Sequence, residues 1–543
     1  MKMFRQILAA LLACTILVSG MSSCGGKKQS PDSSSSSTFD MDFDPDTSSE
    51  GGTDGEDISG GDTSGGAVSS GDKVNTSSAS GSTASGSDTG KVLDLKGREI
   101  KWNVLNATNS NTPEGKRKLE NYAALEKKYN CKIKEIAKIS ESAGNTEITT
   151  SVLSGAPAVD MWFHNGASEI FTHYRASLLQ NVSDMGVFNF SDPNSPFPTD
   201  QEIFNFGGQY YGVVDRAVPS GDPWAALVVF FNDKLLRANG INDDLFALQN
   251  SNGWTWEKFK EICDKFNTNN RDPNITACYD GTAQLYQALL HTRGTDWVSM
   301  DKSKNLSFTG GTAAAQEALS YYQSLIGAGT VKIGSSANSF TAGGGAFDGD
   351  TANANKYSFA KGLSAFTVFS MLGMEWHINK NSLTTADVKK NFGVLYLPKV
   401  KQSDAYTFVS PISNTGGYAI PKGVRRPNEV ATIINEIINR QPEDSAAAKS
   451  RLMAQYVEPW LNTVTGTGTK ATANGIIDSF FSRKFSLTYN GLSANTTPNI
   501  ASGDDGWMSH VYKISTGTEA MGSVLTSVTG TYNDALSKLH SQR

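Results

Sequence analysis

Apolar and polar positions alternate along the chain with two periods, one of two residues and one near three and a half. Ile100, Trp102 and Val104 are apolar with polar neighbours between them, the signature of a half-buried strand. A polar loop follows at 106–111. Thr112-Pro113-Glu114 then marks a helix start, with a capping hydroxyl, a proline in the first turn and an acid near the positive end of the dipole. Leu119, Tyr122, Ala123 and Tyr129 share one face of that helix, and a second strand is expected from Cys131 through Ile133. Strand, helix and strand at this spacing predict parallel pairing through a crossover helix. Apolar runs at 159–163, 225–231, 392–397 and 417–420 predict further strands, and Trp162 is expected in the core. A helix is expected to open at Trp254-Thr-Trp256, with Phe259, Ile262, Cys263 and Phe266 on its buried face; 313–326 and 429–439 predict two more. There is no internal repeat. The fold class these patterns indicate is α/β.

The first ninety residues follow a different rule. Lys2 and Arg5 precede an apolar run at 7–18 and then small residues, the layout of a secretory leader. The run falls short of the roughly 20 residues that span a bilayer. Cys24 follows with Gly25 and Gly26, and the stretch resembles the bacterial lipoprotein signal, in which a cysteine becomes the new N-terminus and takes acyl chains. Met21 stands where Leu is usual, and plain secretion stays open as the alternative. Residues 28–90 are nearly all Ser, Gly, Thr and Asp and carry too little apolar surface to offset the entropy of ordering, so they are expected to be a disordered tether spanning about 45 Å. Asp40, Asp42, Asp44 and Asp46 lack the glycine and closing glutamate of a calcium loop, and they read as a solvated spacer.

Charge separates the same two parts. The chain carries a formal −6; residues 1–27 contribute +3, and residues 28–90, with twelve acids against two lysines, contribute −10, which leaves 91–543 at +1. A nearly neutral body lacks the basic stripe that nucleic acid requires. Cys14 leaves with the leader, and Cys131, Cys263 and Cys278 remain. Three scattered cysteines with few histidines do not make a zinc site, so neither metal nor cofactor is expected. A Cys263–Cys278 disulfide is an open alternative to buried thiols.

Several motifs then recur in a familiar order. These are Ser154-Gly-Ala-Pro-Ala-Val-Asp160, Phe206-Gly-Gly-Gln-Tyr-Tyr-Gly212, Val228-Val-Phe-Phe-Asn232-Asp-Lys-Leu235, Trp254-Thr-Trp256-Glu, Tyr321-Tyr-Gln-Ser-Leu325, Phe359-Ala-Lys-Gly362-Leu-Ser-Ala365-Phe366, Gly393 to Pro398, and Gly417-Tyr-Ala-Ile-Pro-Lys422. In this order, from about 100 to 439, the body resembles the family 1 extracellular solute-binding proteins, the group that includes the maltodextrin-binding protein. Ser364 and Phe366 depart from the family pattern, and the last hundred residues match least.

The resemblance implies a two-lobed periplasmic-binding-protein-like fold, with hinge crossings near 218–225, 359–366 and 409–416 and a central ligand cleft. The expected division is 1–23 signal, 24–94 tether, 95–222 with 366–410 as the first lobe, and 223–365 with 411–543 as the second. It implies capture of a small polar ligand, foremost an oligosaccharide or other sugar, for an ABC importer whose permease subunits are the partners. The protein would be a monomer at the outer face of the bacterial membrane, held only by lipid on Cys24. A surface sensor or adhesion module would share this sequence. A secreted glycoside hydrolase is a third reading, although the chain has no Gly-x-Ser-x-Gly elbow and no His-Glu-x-x-His motif.

Sugars offer apolar ring faces edged by hydroxyls, so their sites pair flat aromatic surfaces with polar rims. On that chemistry and the family's placement, the candidate ligand contacts are Trp376 and Glu375, His164 and Asn165, Trp224, the post-strand residues Asn106, Thr108 and Asn109, and Tyr286, Tyr418 and Trp507.

Overall fold

The computed structural model describes residues 93–541 except 105–107, 109, 111–112, 138–140, 165–166, 191–199, 215–224, 302–304, 337–348, 350–355, 372, 374–385, 412–415, 439–444, 483 and 497. The leader, Cys24 and the tether lie outside the described residues. In chain order the strands are β1 (Arg98–Val104), β2 (Cys131–Ala137), β3 (Met161–His164), β4 (Asn205–Phe206), β5 (Gln209–Tyr210), β6 (Val213–Val214), β7 (Leu227–Asn232) and β8 (Thr276–Asp280). There follow β9 (Val298–Met300), β10 (Leu306–Phe308), β11 (Val331–Ile333), β12 (Ser364–Ser370), β13 (Phe392–Leu395), β14 (Val409–Pro411), β15 (Gly417–Ala419) and β16 (Ser486–Thr488).

Two five-stranded sheets organise the body, in the orders β2-β1-β3-β15-β6 and β11-β8-β12-β7-β13. In the first, β1 pairs in parallel with β2 and β3, as the strand–helix–strand spacing predicts. Ile100, Trp102 and Val104 turn to one face, where Tyr122 and Leu125 of the Pro113–Tyr129 helix and Ile433, Ile434 and Ile437 of the Pro427–Ile438 helix cover them. Arg98 bonds Asp160 at 2.7 Å and Glu429 at 2.9 Å, fastening the start of β1 to that second helix and to the loop before β3.

In the second sheet β7 is apolar along nearly its whole length because helices cover both faces. Val228 and Phe230 pack with Ile476, Ile477 and Phe480 of the Gly466–Phe481 helix. Val229 and Phe231 turn the other way, into the cluster that holds Phe259, Cys263, Leu285 and Leu289. Each fully buried side chain of this size contributes roughly 1.5–3 kcal/mol. Thr255 and Thr312 cap the helices after them by accepting the backbone N–H of Lys258 and Ala315. Cys263 and Cys278 are buried free thiols, not a disulfide. Among the described residues, no helix is long and apolar enough to cross a membrane.

Strand pairing revises the expected division of the lobes. β12 and β13 both ladder with β7, so they belong to the second sheet and 359–366 is not a crossing. The chain returns to the first sheet only at β15, which lies antiparallel to β3 and β6. β12 and β13 therefore stay with the second half, and β15 with the Pro427–Ile438 helix belongs to the first. The passages between sheets fall between β6 and β7, between β13 and β15, and between the Pro427–Ile438 helix of the first half and the Ser445–Tyr456 helix, which packs in the second.

Candidate functional site

Strand direction decides where a site can lie. In the first sheet β1, β2, β3 and β6 run the same way, and Gly417 at the start of β15 pairs with His164 at the end of β3. In the second sheet β8, β11, β12 and β13 share one direction and β7 opposes them. The β6–β7 passage therefore runs from the carboxyl edge of the first sheet to the carboxyl edge of the second. The β13–β15 passage connects the same two edges in the opposite sense. Ligands of open α/β sheets bind outside the carboxyl ends of strands, and here both such edges are tied together by two lengths of chain.

On the first edge Thr108, just past β1, directs its backbone N–H and its hydroxyl at the Glu135 carboxylate, at 2.7 and 2.6 Å. Tyr122 donates to the same carboxylate at 3.2 Å and the Lys118 ammonium lies 2.9 Å away. Burial works against the charge on Glu135, but the Thr108 donors and Lys118 outweigh it and hold this acid below the ordinary glutamate range. The Lys118 ammonium also sits 4.5 Å from the centre of the Trp102 ring. Tyr418, on β15, packs edge-on against Trp102 and Phe163, at 5.3 and 5.2 Å between centroids. Thr108, His164 and Tyr418 thus come to one sheet.

Two of these three are spoken for by the interior. His164 is fully buried, with Nε2 2.9 Å from Nδ1 of His173 and both imidazoles against the Trp162 ring. Tyr418 is 4% exposed. The rim chemistry on this edge belongs instead to Glu135 and Lys118, neither of which the sequence singled out.

On the second edge the chain turns from β8 into the Gln284–Thr292 helix. Asp280 ends β8, and its carboxylate accepts the N–H groups of Gln284 and Leu285 at 3.0 and 3.2 Å and the Tyr322 hydroxyl at 2.7 Å. Burial pushes its pKa up to about 6 even so, against the hydrogen bonds of Tyr322, Leu285, Gln284 and Thr282. Ala283 in this turn has a φ of 55°, the left-handed region that a side chain rarely enters. Thr282 Oγ1 and Gln284 Oε1 are buried there without hydrogen-bond partners. Buried polar atoms are normally paired, so a strained turn presenting two spare ones at a strand's carboxyl end offers hydrogen bonds to an incoming polar molecule. In the sequence this turn shows only as a polar, glycine-containing segment after an apolar run.

Tyr286 and Trp507 are brought together, but inside the second half. Both are fully buried. The Trp507 indole N–H lies beside the Tyr286 hydroxyl without a hydrogen bond of ordinary geometry, and burial pushes the Tyr286 phenol up. The Trp507 ring meets Phe308 edge-on at 4.9 Å. These two are therefore core aromatic residues, not surfaces on the mouth of the sheet. Trp376, Glu375, Asn165, Trp224, Asn106 and Asn109 lie outside the described residues. Among the described residues, no group of three or more His, Cys, Asp or Glu is placed to hold a metal ion.

No protein-family profile matches the sequence, and no curated protein sequence does. Solved structures do. The chain is similar to the cyclic alpha-maltosyl-1,6-maltose binding protein from Arthrobacter globiformis, at 13% identity and a TM-score of 0.52, over 81% of this chain and 100% of that one. The sugar-binding protein MalE from Xanthomonas citri is similar at 13% identity and a TM-score of 0.48, over 81% and 98%. A family 1 extracellular solute-binding protein from Bifidobacterium longum subsp. infantis follows at 14% and 0.47, over 82% and 99%. At these identities, and with the Arthrobacter structure alone of these three above half on the TM scale, the likeness concerns architecture alone. The body of this chain has the two-lobed α/β fold of the periplasmic-binding-protein type.

Proposed function

We propose that the protein is an extracellular solute-binding protein of the family 1 kind that captures an oligosaccharide or other sugar between its halves and passes it to an ABC importer. The observation that carries this reading is the joining of both carboxyl edges by the two passages, with polar groups waiting on each edge. Glu135 and Lys118 offer an acceptor and a donor on one side, and Thr282 and Gln284 offer a hydroxyl and an amide oxygen on the other. A ligand that bonds both edges favours the closed arrangement only as far as it binds that arrangement better. The sugar ligands named for the similar structures agree with this chemistry. Trp376, Glu375, Asn165, Trp224, Asn106 and Asn109 are proposed to complete the site. Lipid on Cys24 would hold a monomer at the outer face of the cell membrane, and permease subunits would receive the ligand.

The mature chain should be screened by thermal shift against a carbohydrate panel. A true ligand at a hundredfold excess over its dissociation constant stabilises by about 2.7 kcal/mol. Absence of any stabilising sugar, or recovery of the sugar in cleaved form, would sink the proposal. Within it, Trp376→Ala is expected to weaken binding at least tenfold, roughly 1.4 kcal/mol, while the unfolding midpoint without ligand stays put. Calorimetric titration reads this, and unchanged affinity removes Trp376 from the site.

A further inference from the structure

The β13–β15 passage is not bare chain. It contains β14, which pairs in parallel with β16, Val409 opposite Ser486 and Pro411 opposite Thr488. Directly after β16, the Asn490–Asn495 turn lies against the Ala167–Arg175 helix of the first half. Leu492 is buried in the same apolar cluster as Ile170 and Phe171 of that helix. The same few residues are also bonded to the second half. The Thr488 hydroxyl donates to Asp296 Oδ2, and Asn490 Oδ1 accepts the Val298 N–H at 3.1 Å. The Asn490 amide stands beside the Asp296 carboxyl, whose Oδ1 accepts the Trp297 N–H at 2.9 Å. The titratable neighbours of this carboxyl are His291, with Nε2 3.8 Å from Oδ2, and Tyr286.

We infer that residues 486–496 form a strap that sets the angle between the two halves, with Asp296 as its largely buried anchor. The segment touches three things at once: the passage, a helix of the first half and the floor of the second. Its contacts with the second half are directional hydrogen bonds in the interior, which are lost steeply when geometry changes. It also lies against the Ala167–Arg175 helix of the first half. When the halves rotate, the strap therefore stays bonded to the second half, and its seat against the first-half helix has to change. Thr488, Asn490 and Asp296 are positioning residues for that motion and touch no ligand. The inference needs only the two-lobed fold and stands whether or not the ligand is a sugar.

The test uses the full chain without ligand. Spin labels at Lys134→Cys on β2 and Lys332→Cys on β11, both exposed positions, report the distance between the sheets by pulsed resonance. Cys14 and Cys24 are replaced by Ser, and the buried Cys131, Cys263 and Cys278 are left in place. Thr488→Val and Asn490→Ala are each expected to broaden the distance distribution and to raise the minor population about five- to tenfold, the effect of losing one buried hydrogen bond. Thr488→Ser keeps the hydroxyl and should match the parent. A lowered unfolding midpoint with an unchanged distribution in both variants would mean that these bonds only stabilise the second half, and it overturns the strap. If Thr488→Val does not fold, Asn490→Ala alone decides the matter.

Discussion

Gly417→Val is expected to destabilise the first half by about 3 kcal/mol or more and to leave much of the expressed chain insoluble. A Cβ at Gly417 would stand 2.5 Å from the Val213 carbonyl oxygen and 2.6 Å from the Phe204 ring. The first of these is backbone in the neighbouring strand and has nowhere to go. β15 is also the strand by which the second passage enters the first sheet, pairing with β3 on one side and β6 on the other. Forcing it out therefore unzips β6 and the hairpin before it. Gly530→Ala makes the contrast. Gly530 lies in the Met521–Ser541 helix with no atom within 4 Å of its Cβ position, so Ala should be neutral or stabilising by up to about 1 kcal/mol. Chemical unfolding of both variants beside the parent reads the difference. A Gly417→Val protein as stable as the parent would mean that β15 is not held between β3 and β6.

The second large effect is a pH dependence centred on Asp296. Burial pushes its pKa up to about 7 against the hydrogen bonds of Thr488 and Trp297 and the neighbouring Asn490 amide. An acid raised in the folded state stabilises fully below its unfolded pKa, near 3.8, and loses that contribution as pH rises through about 7. At about 1.4 kcal/mol per unit, the loss across this window is on the order of 4 kcal/mol. His291 works in the opposite sense, since burial pushes it down to about 4 and its contribution is lost as pH falls through that value. Comparing the parent with Asp296→Asn reads the acid together with its coupling to His291, 3.8 Å away. The stability of the parent relative to Asp296→Asn should fall steadily from pH 4 to pH 7 and then level. Parallel stability curves for the two proteins over that range would show that Asp296 ionises in the fold as freely as in the unfolded chain.

Much of the secondary structure was legible in the sequence. The apolar run at 225–231 became β7 (Leu227–Asn232), and the expected helices at 313–326 and 429–439 became Ala313–Gly327 and Pro427–Ile438. Local periodicity reports which face of a segment avoids water, and these segments bury the faces it marked. The first passage was expected at 218–225, and 218–224 lie outside the described residues; the chain changes sheets between Val214 and Leu227. The family motifs led to the two-lobed fold as well. The site was less legible. Tyr286, Trp507, His164 and Tyr418 all carry aromatic rings near strand or helix ends, yet each is buried. An aromatic ring in a loop reads the same in sequence whether it stacks on a ligand or on another ring.

What the sequence by itself determined is therefore the set of elements and the kind of surface each must hide. Only the tertiary structure decided which sheet β12, β13 and β15 join, and hence where the chain passes between halves. The reason is physical: a strand such as Phe392–Leu395 satisfies its backbone equally well beside any suitable neighbour, and its fit to β7 rests on contacts such as Gly393, where a Cβ would meet the Phe231 ring at 2.3 Å. The same holds for Glu135 and Asp296. Nothing in their local pattern distinguishes them from surface polar residues until partners distant in the chain, such as Thr488 for Asp296, are folded against them.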